Sequence, residues 1–334
     1  MTVKTKPPIQ EQLVDLIERR LDKMAIPDQP DRIYAPFRYV MGLGGKRVRP
    51  YSTLLGCGIC KGDIEQAVPA ALAVELLHNF TLVHDDIMDK AETRRGKPSV
   101  HTRWDTSTAI LSGDIIFSKS FRELQYYGHT EKFDKKTYHL IYDSFLSAVD
   151  TVCEGQALDL EFAERKTVSL EEYMDMITRK TAFMLGTALH LGGLTAGGDK
   201  QQVNGLFEIG RLAGIAFQIQ DDLLDVIGNP DKFGKKVGGD IREGKKTYLS
   251  ILASQKAGKE DQQFIERVLD ADKVDEEEVQ HVMKLYRKYD VVKAASDAIE
   301  DHYKDALDRL SYFEEGPYKS ALKNLIDRLG KRER

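Results

Sequence analysis

Apolar residues recur three and four positions apart over most of the chain, a spacing that predicts amphipathic helices. Over residues 10–24, Leu13, Leu16, Ile17 and Leu21 fall on one helical face. The same periodicity predicts helices over residues 108–127, 137–163, 170–191, 201–227, 246–255, 260–269, 273–289, 291–310 and 318–329. Residues 68–84 are apolar on nearly every face, which predicts a helix buried inside a large domain.

Strand signals are scarce along the chain. No segment alternates convincingly between apolar and polar residues, and no Asn-Gly or Asp-Gly pair indicates a hairpin. No Pro-rich or Ser-rich linker divides the sequence. The pattern therefore predicts a single all-α domain over residues 1–334, built from roughly a dozen helices, with residues 331–334 as a frayed tail.

Composition narrows the class of protein. The chain has 334 residues, of which 41% are apolar and 31% are charged, so it is not a disordered chain. No run approaches the roughly 20 apolar residues that a bilayer-spanning helix needs, and the first residues lack the apolar segment of a secretory signal. The 49 basic and 54 acidic residues give a net charge of −5, which does not indicate nucleic-acid binding. We expect a cytoplasmic protein without a membrane span.

Cys57 and Cys60 form a C-x-x-C pair, and Cys153 is the third cysteine. A zinc site would need about four ligands, and the sequence offers no second pair. Redox chemistry is the other functional interpretation of the motif. The surrounding residues, YSTLLGCGIC, are typical of a buried helix, so we interpret both cysteines as core residues.

The strongest signal is a repeated D-D-x-x-D pattern, in LVHDDIMD at residues 82–89 and QIQDDLLD at residues 218–225. On a helix, positions i and i+4 share a face and position i+3 lies close by. Each pattern therefore gathers three carboxylates on about one and a half turns. The members are Asp85, Asp86 and Asp89 in the first cluster and Asp221, Asp222 and Asp225 in the second.

Three carboxylates in an apolar helix repel one another and are costly to desolvate. A bound divalent cation removes both penalties, and oxygen-only ligands favour Mg²⁺, which also tends to bind substrate phosphates. The alternative is that the two patterns arose by chance on solvated helix faces. Two occurrences in apolar helices favour metal binding.

Three segments rich in glycine and basic residues interrupt the helical pattern, at residues 42–50, 93–98 and 228–246. Glycines let backbone N–H groups approach an anion, and Lys and Arg add charge-assisted hydrogen bonds. The second and third segments directly follow the aspartate clusters. Their combination predicts a site for a metal-bound phosphate, although each segment alone could be an ordinary solvated turn. None of them matches a nucleotide-binding loop.

In these motifs the chain resembles the trans-prenyl diphosphate synthases of isoprenoid biosynthesis. The matching segments are GGKRVRP (44–50), HNFTLVHDDIMD (78–89), RRGKPSVH (94–101), EGQALDL (154–160), KT (180–181), FQIQDDLLD (217–225), FGKKVGGDI (233–241) and KKT (245–247). The resemblance implies an isoprenoid-synthase fold whose two aspartate helices face each other across a deep central cavity. It also implies a homodimer and a Mg²⁺-dependent, head-to-tail condensation of isopentenyl diphosphate with an allylic diphosphate.

The resemblance implies a role for each matching residue. Three Mg²⁺ ions per active site are implied, with Mn²⁺ as an alternative. The implied metal ligands are Asp85, Asp86, Asp89 and Asp221, with help from Asp222 and Asp225. The implied contacts of the allylic diphosphate are Arg94, Lys180 and Lys235. Those of isopentenyl diphosphate are Lys46, Arg49, His78 and Arg95. Thr181 and Gln218 would line the reacting centre, and Lys245 would help to close the site.

Product length is implied by the residues before the first cluster, which form a floor beneath the growing chain in this family. Phe80 lies five positions before Asp85 and Thr81 lies four before it. One aromatic and one small residue, without an insertion in the cluster, resemble the geranylgeranyl type. Farnesyl diphosphate or a longer polyprenyl diphosphate is the alternative product.

Three other functions fit the sequence less well than this one. A class I terpene cyclase would keep one aspartate cluster but lack GGKRVRP and the second cluster. A non-catalytic subunit of a heteromeric synthase would lose aspartates, and all six are present. An acidic cation buffer would not explain the basic segments, and the sequence has no EF-hand loop.

Overall fold

A computed structural model describes residues 7–228, 237–271 and 273–330. The protein is 78% helical with almost no sheet, which confirms the all-α class. The predicted tail at residues 331–334 lies outside the described residues, as does Lys235.

The helices follow the predicted order, with several additional short ones and one additional helix of 12 residues, Asp31–Gly42. Their bounds are α1 Ile9–Asp22, α2 Asp31–Gly42, α3 Val48–Ile59, α4 Ile64–Met88, α5 Val100–Arg103, α6 Thr106–Leu124, α7 Tyr126–His129, α8 Lys135–Glu164, α9 Leu170–Ile177, α10 Phe183–Thr195, α11 Lys200–Ile227, α12 Gly239–Arg242, α13 Tyr248–Lys256, α14 Lys259–Leu269, α15 Glu276–Lys288, α16 Val291–Ser311 and α17 Pro317–Gly330. A π-helical segment, Thr178–Ala182, separates α9 from α10. The helix predicted over 170–191 is thus interrupted where Lys180 and Thr181 lie.

The described residues form two compact units. Unit 1 takes those of Met1–Val149, Thr187–Leu206 and Glu314–Ala321. Unit 2 takes those of Asp150–Gly186, Phe207–Phe313 and Leu322–Arg334. A single domain over the whole chain stays a prediction.

Helix α4 is the central helix of unit 1. It begins after Asp63, whose side chain accepts a hydrogen bond from the backbone N–H of Glu65, and it reaches the first aspartate cluster. Its apolar surface packs into a buried cluster with α2 and α6, formed by Phe37, Leu76, Ile116 and neighbouring residues. Among the described helices, α4 alone is long and apolar enough to cross a bilayer. However, 67% of its most apolar stretch is buried inside the protein, so the apolar residues of α4 belong to the core.

A small hairpin between α4 and α5 corrects the expectation that no hairpin is present. Strands β1 (Thr93–Arg94) and β2 (Lys97–Pro98) pair antiparallel around the two-residue loop Arg95-Gly96. Arg95 (φ 54°) and Gly96 (φ 73°) both lie in the left-handed region, as a type I′ turn requires. The sequence pattern missed it because two-residue strands are too short to alternate and Arg replaces the usual Asn or Asp.

The glycine-rich turn between α2 and α3 is fixed by a buried ion pair. Arg47 has φ 48°, and its guanidinium is only 2% exposed. Its Nη1 donates to Oε1 of Glu75 on α4 at 2.5 Å, and its Nε donates to Oε1 of Glu18 on α1 at 2.8 Å. The pairing joins α1, α4 and the start of α3, and so fixes the backbone that carries Lys46 and Arg49.

The cysteines of the C-x-x-C pair lie in or near the core, as expected. Cys57 is buried and Cys60 is half-buried, and both are free thiols. Burial raises the pKa of Cys57 to about 12 and that of Cys60 to about 11, so both stay protonated near neutral pH. Protonated thiols are poor metal ligands and poor nucleophiles, which favours a packing role.

The buried pair predicts a large stability difference between two conservative variants. Glu75→Gln leaves the buried Arg47 charge facing only Glu18, and we expect a loss of about 3 kcal/mol, the low end of the range for breaking a buried pair. Glu18→Gln is the control, because its carboxylate is 39% exposed and its loss should cost about 1 kcal/mol or less. Urea unfolding followed by circular dichroism measures both. Equal losses in the two variants would contradict the assignment of Glu75 as the main partner.

Candidate active site

The first aspartate cluster lies at the C-terminal end of α4 in unit 1. Asp85 is half-buried, Asp86 is buried, and Asp89 is exposed immediately after the last residue of the helix. Asp85 and Asp89 stand four positions apart and share a helical face. The middle aspartate points into the protein, so the three carboxylates are not equivalent.

Asp86 has its own cationic partner. Nε and Nη2 of Arg94, in the hairpin, donate to Oδ1 of Asp86 at 3.0 and 2.6 Å. The carboxylate side chain is 5% exposed, so this ion pair is largely removed from solvent. The pair compensates one charge of the cluster and attaches the hairpin to α4.

The first two basic segments contact each other in unit 1. Nη1 of Arg95 donates to the carbonyl oxygen of Gly44. A side chain on Gly45, which has φ 153°, would place its Cβ 3.0 Å from Nη2 of Arg95, so glycine permits this close approach. Partial burial lowers the pKa of Arg95. Lys46 follows in the same turn and is exposed.

Arg49, on α3, pairs with His78 of α4. Nη1 of Arg49 lies 3.2 Å from Nε2 of His78. A guanidinium can only donate, so Nε2 must be an acceptor and the imidazole is neutral. Burial and the nearby arginines lower the pKa of His78 well below its usual value, in agreement with a neutral ring. Burial lowers the pKa of Arg49 to about 10, so it remains charged at neutral pH.

Nε of Arg49 is buried and has no hydrogen-bond partner among the described residues. An unsatisfied donor on a charged group is costly in a protein interior. A ligand with acceptor oxygens would satisfy it. This atom therefore suits an anionic ligand bound beside Arg49.

The second aspartate cluster, on α11 in unit 2, centres on a buried Asp222. Its Oδ2 accepts hydrogen bonds from the Tyr173 hydroxyl and, at 3.1 Å, from the backbone N–H of Tyr248. Its Oδ1 accepts from Nε2 of Gln218 at 3.3 Å. Burial, and then the charge of Asp240, raises the pKa of Asp222 to about 7. Asp222 thus joins α9, α11 and α13 inside unit 2.

Asp225 is held by the segment before and within α12. Its two carboxylate oxygens accept hydrogen bonds from the backbone N–H groups of Gly239, at 3.1 Å, and Asp240, at 3.0 Å. A Cβ on Gly239 would lie 3.0 Å from Oδ1 of Asp225, which explains the glycine. Burial raises the pKa of Asp225, and it raises that of Asp240 to about 6. Asp221, on the same helix, is exposed.

The π-helical segment places Lys180 and Thr181 in unit 2. Nζ of Lys180 pairs with Oδ2 of Asp159 at 2.5 Å, and Oγ1 of Thr181 donates to Oε1 of Gln218 at 3.0 Å. A single widened turn of this kind is frequent at functional sites. Gly155 packs directly on the backbone of Lys180, where a Cβ would clash. The close approach explains the glycine of the EGQ motif.

Lys245 follows α12 and lies near two carboxylates. Its Nζ is 2.6 Å from Oε2 of Glu243 and 3.5 Å from Oδ1 of Asp240. Lys235, predicted from the same basic segment, lies outside the described residues.

The two predicted floor residues lie on α4. Phe80 is half-buried and its ring lies 4.7 Å from that of Phe117 and 4.6 Å from that of His84. The hydroxyl of Thr81 donates to the carbonyl oxygen of His78 at 2.8 Å.

Within each unit the structure brings several predicted residues together. Unit 1 gathers Asp86 with Arg94, Arg95 with the glycine-rich turn, and Arg49 with His78. Unit 2 gathers Thr181, Gln218 and Asp222 in one hydrogen-bonded chain. That the two clusters face each other across one cavity stays a prediction.

Some residues that shape the site were not predicted. Arg47 and Glu75 fix the glycine-rich turn, Tyr173 holds Asp222, and Asp159 pairs with Lys180. Glu75 carries a usable signal, since it is the lone charged residue in the apolar run ALAVELL. Nothing in the sequence around Tyr173 or Asp159 identifies their partners.

A Mg²⁺ ion would take its protein ligands from the aspartate clusters. Among the described residues no three His, Cys, Asp or Glu side chains converge as a ready ligand cluster. Mg²⁺ usually binds through one or two carboxylates together with waters and substrate phosphates. Asp85 and Asp89 in unit 1, and Asp221 in unit 2, could each supply carboxylates of this kind. The residues therefore fit a magnesium ion that is completed by a bound phosphate.

Comparison with known proteins bears on this site. A family model described as polyprenyl synthetase matches residues 30–286. The short chain isoprenyl diphosphate synthase of Methanothermobacter thermautotrophicus is 36% identical over 319 residues, which cover 96% of each chain. The geranylgeranyl diphosphate synthase of Saccharolobus solfataricus is 39% identical over 265 residues, covering 77% of this chain and 79% of that protein. The crystal structure of geranylgeranyl pyrophosphate synthetase from Pyrococcus horikoshii matches with a TM-score of 0.91 at 36% identity, covering 97% of both chains.

The similarities to the Methanothermobacter and Pyrococcus proteins extend over 96% and 97% of the chain. They confirm both the resemblance in the motifs and the isoprenoid-synthase fold that it implied. The chain belongs to the polyprenyl synthetase family.

Proposed function

We propose that the protein is a short-chain prenyltransferase that condenses isopentenyl diphosphate with dimethylallyl, geranyl or farnesyl diphosphate and forms geranylgeranyl diphosphate. One observation carries the proposal: carboxylates and arginines of unit 1 gather around the same end of α4, and the buried Nε of Arg49 lacks a partner among the described residues. In a metal-bound diphosphate, the metal would compensate the carboxylates and the phosphate oxygens would compensate the arginines. The names of the related proteins support the same substrate class.

The two diphosphates would use different cations. We assign the allylic diphosphate to Arg94, Lys180 and Lys235, and isopentenyl diphosphate to Lys46, Arg49, His78 and Arg95. Neutral His78 would donate through Nδ1 while Nε2 accepts from Arg49. Lys180 must leave Asp159, and Arg94 must share its charge with Asp86, when a phosphate binds. These pairings keep the cations in place before substrate arrives.

Mg²⁺, when bound, neutralises the diphosphate and stabilises the charge that develops on it as a leaving group. We propose three ions per active site, with Mn²⁺ as an alternative. Asp85 and Asp89 are the first ligands, because Asp86 is occupied by Arg94. Asp221 is the ligand on α11, and Asp225 is positioned beside it by α12. Asp222 supports them by joining three helices of unit 2.

The reaction begins when the allylic C–O bond breaks and its electron pair leaves with the diphosphate. The fixed cations stabilise that charge, which is where electrostatic catalysis has its largest effect. The double bond of isopentenyl diphosphate attacks the allylic carbon to form the new C–C bond, and a proton is lost to the departing diphosphate. Thr181 and Gln218 line this centre, and Lys245 helps to close it.

The assignment of the aspartates predicts a selective loss of activity. Asp85→Ala and Asp221→Ala should each lower turnover by about 10²-fold or more, because each removes a metal ligand that stabilises the transition state. The measurement is product formation from isopentenyl and farnesyl diphosphates, identified by mass spectrometry. Chelation should stop the wild-type reaction, and added Mg²⁺ should restore it.

The matched control is Asp297→Ala, an exposed aspartate on α16. It should retain wild-type turnover, and all three variants should keep the wild-type circular dichroism spectrum. Full activity in Asp85→Ala or Asp221→Ala would refute the role of that aspartate. No condensation product from any allylic primer in the wild type would refute the synthase function itself.

We propose that Phe80 and Thr81 limit product length. Phe80 lies on α4 five positions before Asp85, so a chain that extends from the diphosphate along α4 meets its ring. Phe80→Ala should therefore lengthen the main product. For the wild type, the alternative product is farnesyl diphosphate or a longer polyprenyl diphosphate. Mass spectrometry of the products tests this. An unchanged length in Phe80→Ala would remove this residue from the floor.

We also propose that the protein acts as a cytoplasmic homodimer. Unit 1 exposes several large apolar side chains on α6 and α8, among them Leu111, Leu140 and Leu146. Large apolar side chains that are exposed in this way support an interface with a second copy of the chain. The proposed substrates are small diphosphates, so the proposed function involves no nucleic acid and no membrane-spanning segment.

The dimer predicts different effects for two exposed apolar residues. Leu111→Glu places a charge on a side chain that is 47% exposed, and should lower the native mass measured by light scattering towards that of one chain. Tyr312→Glu is the control, because Tyr312 is 88% exposed in unit 2 and should leave the mass unchanged. A dimer that survives Leu111→Glu would exclude this face.

A further inference from the structure

The π-helical segment of unit 2 brings Tyr173 and Thr181 onto one helical face. They lie eight positions apart on the continuous helical run of α9, the π-helical segment and α10. In an unbroken α-helix, eight residues would place their side chains about 80° apart around the axis. The π-helical segment takes one extra residue into a turn, which reduces this angle to about 20°. Both side chains therefore reach α11, where Tyr173 contacts Asp222. Thr181 contacts Gln218, one turn earlier on α11.

The Tyr173 hydroxyl holds one oxygen of the Asp222 carboxylate. Tyr173 is 2% exposed, and its hydroxyl donates to Oδ2 of Asp222. Burial, and then the charge of Asp222, raises the pKa of Tyr173, so the hydroxyl keeps the proton that it donates. The same oxygen accepts a hydrogen bond from the backbone N–H of Tyr248 at 3.1 Å. With Oδ2 held by two donors, Oδ1 is the oxygen that faces Gln218.

The carboxylate in turn fixes the orientation of the Gln218 amide. An ionised carboxylate can only accept hydrogen bonds, so Nε2 of Gln218 must face Oδ1 of Asp222, at 3.3 Å. Oε1 of Gln218 then faces Thr181 and lies 3.0 Å from its Oγ1. An amide oxygen also only accepts, so the Thr181 hydroxyl must donate its one proton to Gln218.

This direction of donation sets the polarity of the Thr181 hydroxyl. A hydroxyl that has donated its proton presents only lone pairs to any other neighbour. Thr181 therefore offers an electron-rich oxygen at the reacting centre that we propose. The allylic carbon becomes positive as its C–O bond breaks, and an electron-rich oxygen stabilises that charge. A hydroxyl that points its proton at the same carbon would destabilise it.

We infer that Tyr173 is a further positioning residue of the reaction, which acts on Thr181 through Asp222 and Gln218. The inference rests on the proposed function. Without the Tyr173 hydroxyl, Oδ2 of Asp222 keeps only the backbone N–H among these two donors, and the carboxylate can turn. The amide of Gln218 then loses its fixed partner. As a result, the Thr181 hydroxyl can turn its proton towards the reacting carbon.

The variant Tyr173→Phe removes the hydroxyl and keeps the ring. It should lower the single-turnover rate of condensation about 10-fold, the effect of losing one hydrogen bond to a charged group. The KM values for isopentenyl and farnesyl diphosphates should change by less than about twofold, because no substrate-binding cation is altered. Enzyme in excess over farnesyl diphosphate gives the single-turnover rate, and steady-state assays give the KM values.

Tyr303→Phe is the matched control. Tyr303 is also a buried tyrosine of unit 2, and its hydroxyl also donates to a side chain of α11, Oε1 of Gln220, at 3.4 Å. It lies outside the hydrogen-bonded chain that leads to Thr181, so this variant should keep the wild-type rate and KM values. Tyr173→Met also lacks the hydroxyl and should give the same loss of rate if Tyr173→Phe fails to fold.

A second background, Gln218→Leu, shows whether Tyr173 acts through the amide. This variant breaks the link between Asp222 and Thr181 and should itself lower the single-turnover rate. Adding Tyr173→Phe to it should have no further effect, because the residue through which Tyr173 acts is gone. A role of Tyr173 in folding or in metal binding would instead lower the rate by the same factor in both backgrounds.

Three results would overturn the inference and leave the synthase function intact. They are an unchanged rate in Tyr173→Phe, an equal loss in Tyr303→Phe, and a second full loss when Tyr173→Phe is added to Gln218→Leu. A wild-type protein that forms no condensation product would overturn the proposed function together with this inference. The activity of the wild type therefore separates the two failures.

Discussion

Carboxylates at the end of an apolar helix must be compensated, and this constraint shapes the site in unit 1. Arg94 neutralises Asp86 and attaches the hairpin to α4. Arg95, the next residue, then reaches the carbonyl oxygen of Gly44 and attaches the glycine-rich turn. A single charge pairing thus leads to the contact between two basic segments far apart in sequence. Asp85 and Asp89 share a helical face and are the metal ligands that we propose.

In unit 2, the buried carboxylates are compensated by uncharged hydrogen-bond donors. Asp222 has no arginine; it is held by a tyrosine hydroxyl, a glutamine amide and a backbone N–H. Burial, and then the charge of Asp240, raises the pKa of Asp222 to about 7, because the neutral donors offset these effects only in part. Asp225 likewise depends on two backbone N–H groups. The repeated motif therefore has one spacing but two kinds of environment.

Spacing predicted much of this arrangement, since helical periodicity alone placed Asp85 with Asp89 on one face. It gave no means to assign the middle aspartate of each cluster, because partners such as Arg94 and Tyr173 are fixed by tertiary packing. The sequence did not predict the hairpin, because its turn uses Arg-Gly. It did not predict the π-helical turn either, because the spacing of apolar residues does not distinguish one widened turn from an α-helix. Arg47 was grouped with the basic segment, although burial gives it a structural role.

The charged end and the apolar floor belong to the same rigid element. Asp85 and Phe80 are both on α4, so the separation between the proposed metal ligand and the proposed floor is set by helical rise and does not depend on the position of any loop. The opposing wall, α6, is held in register by the contact of His84 with Gly113, which only glycine allows. Loops can close around a diphosphate without changing this distance. Under the proposed function, loops of unit 1 would therefore control substrate binding, and helix α4 would control product length.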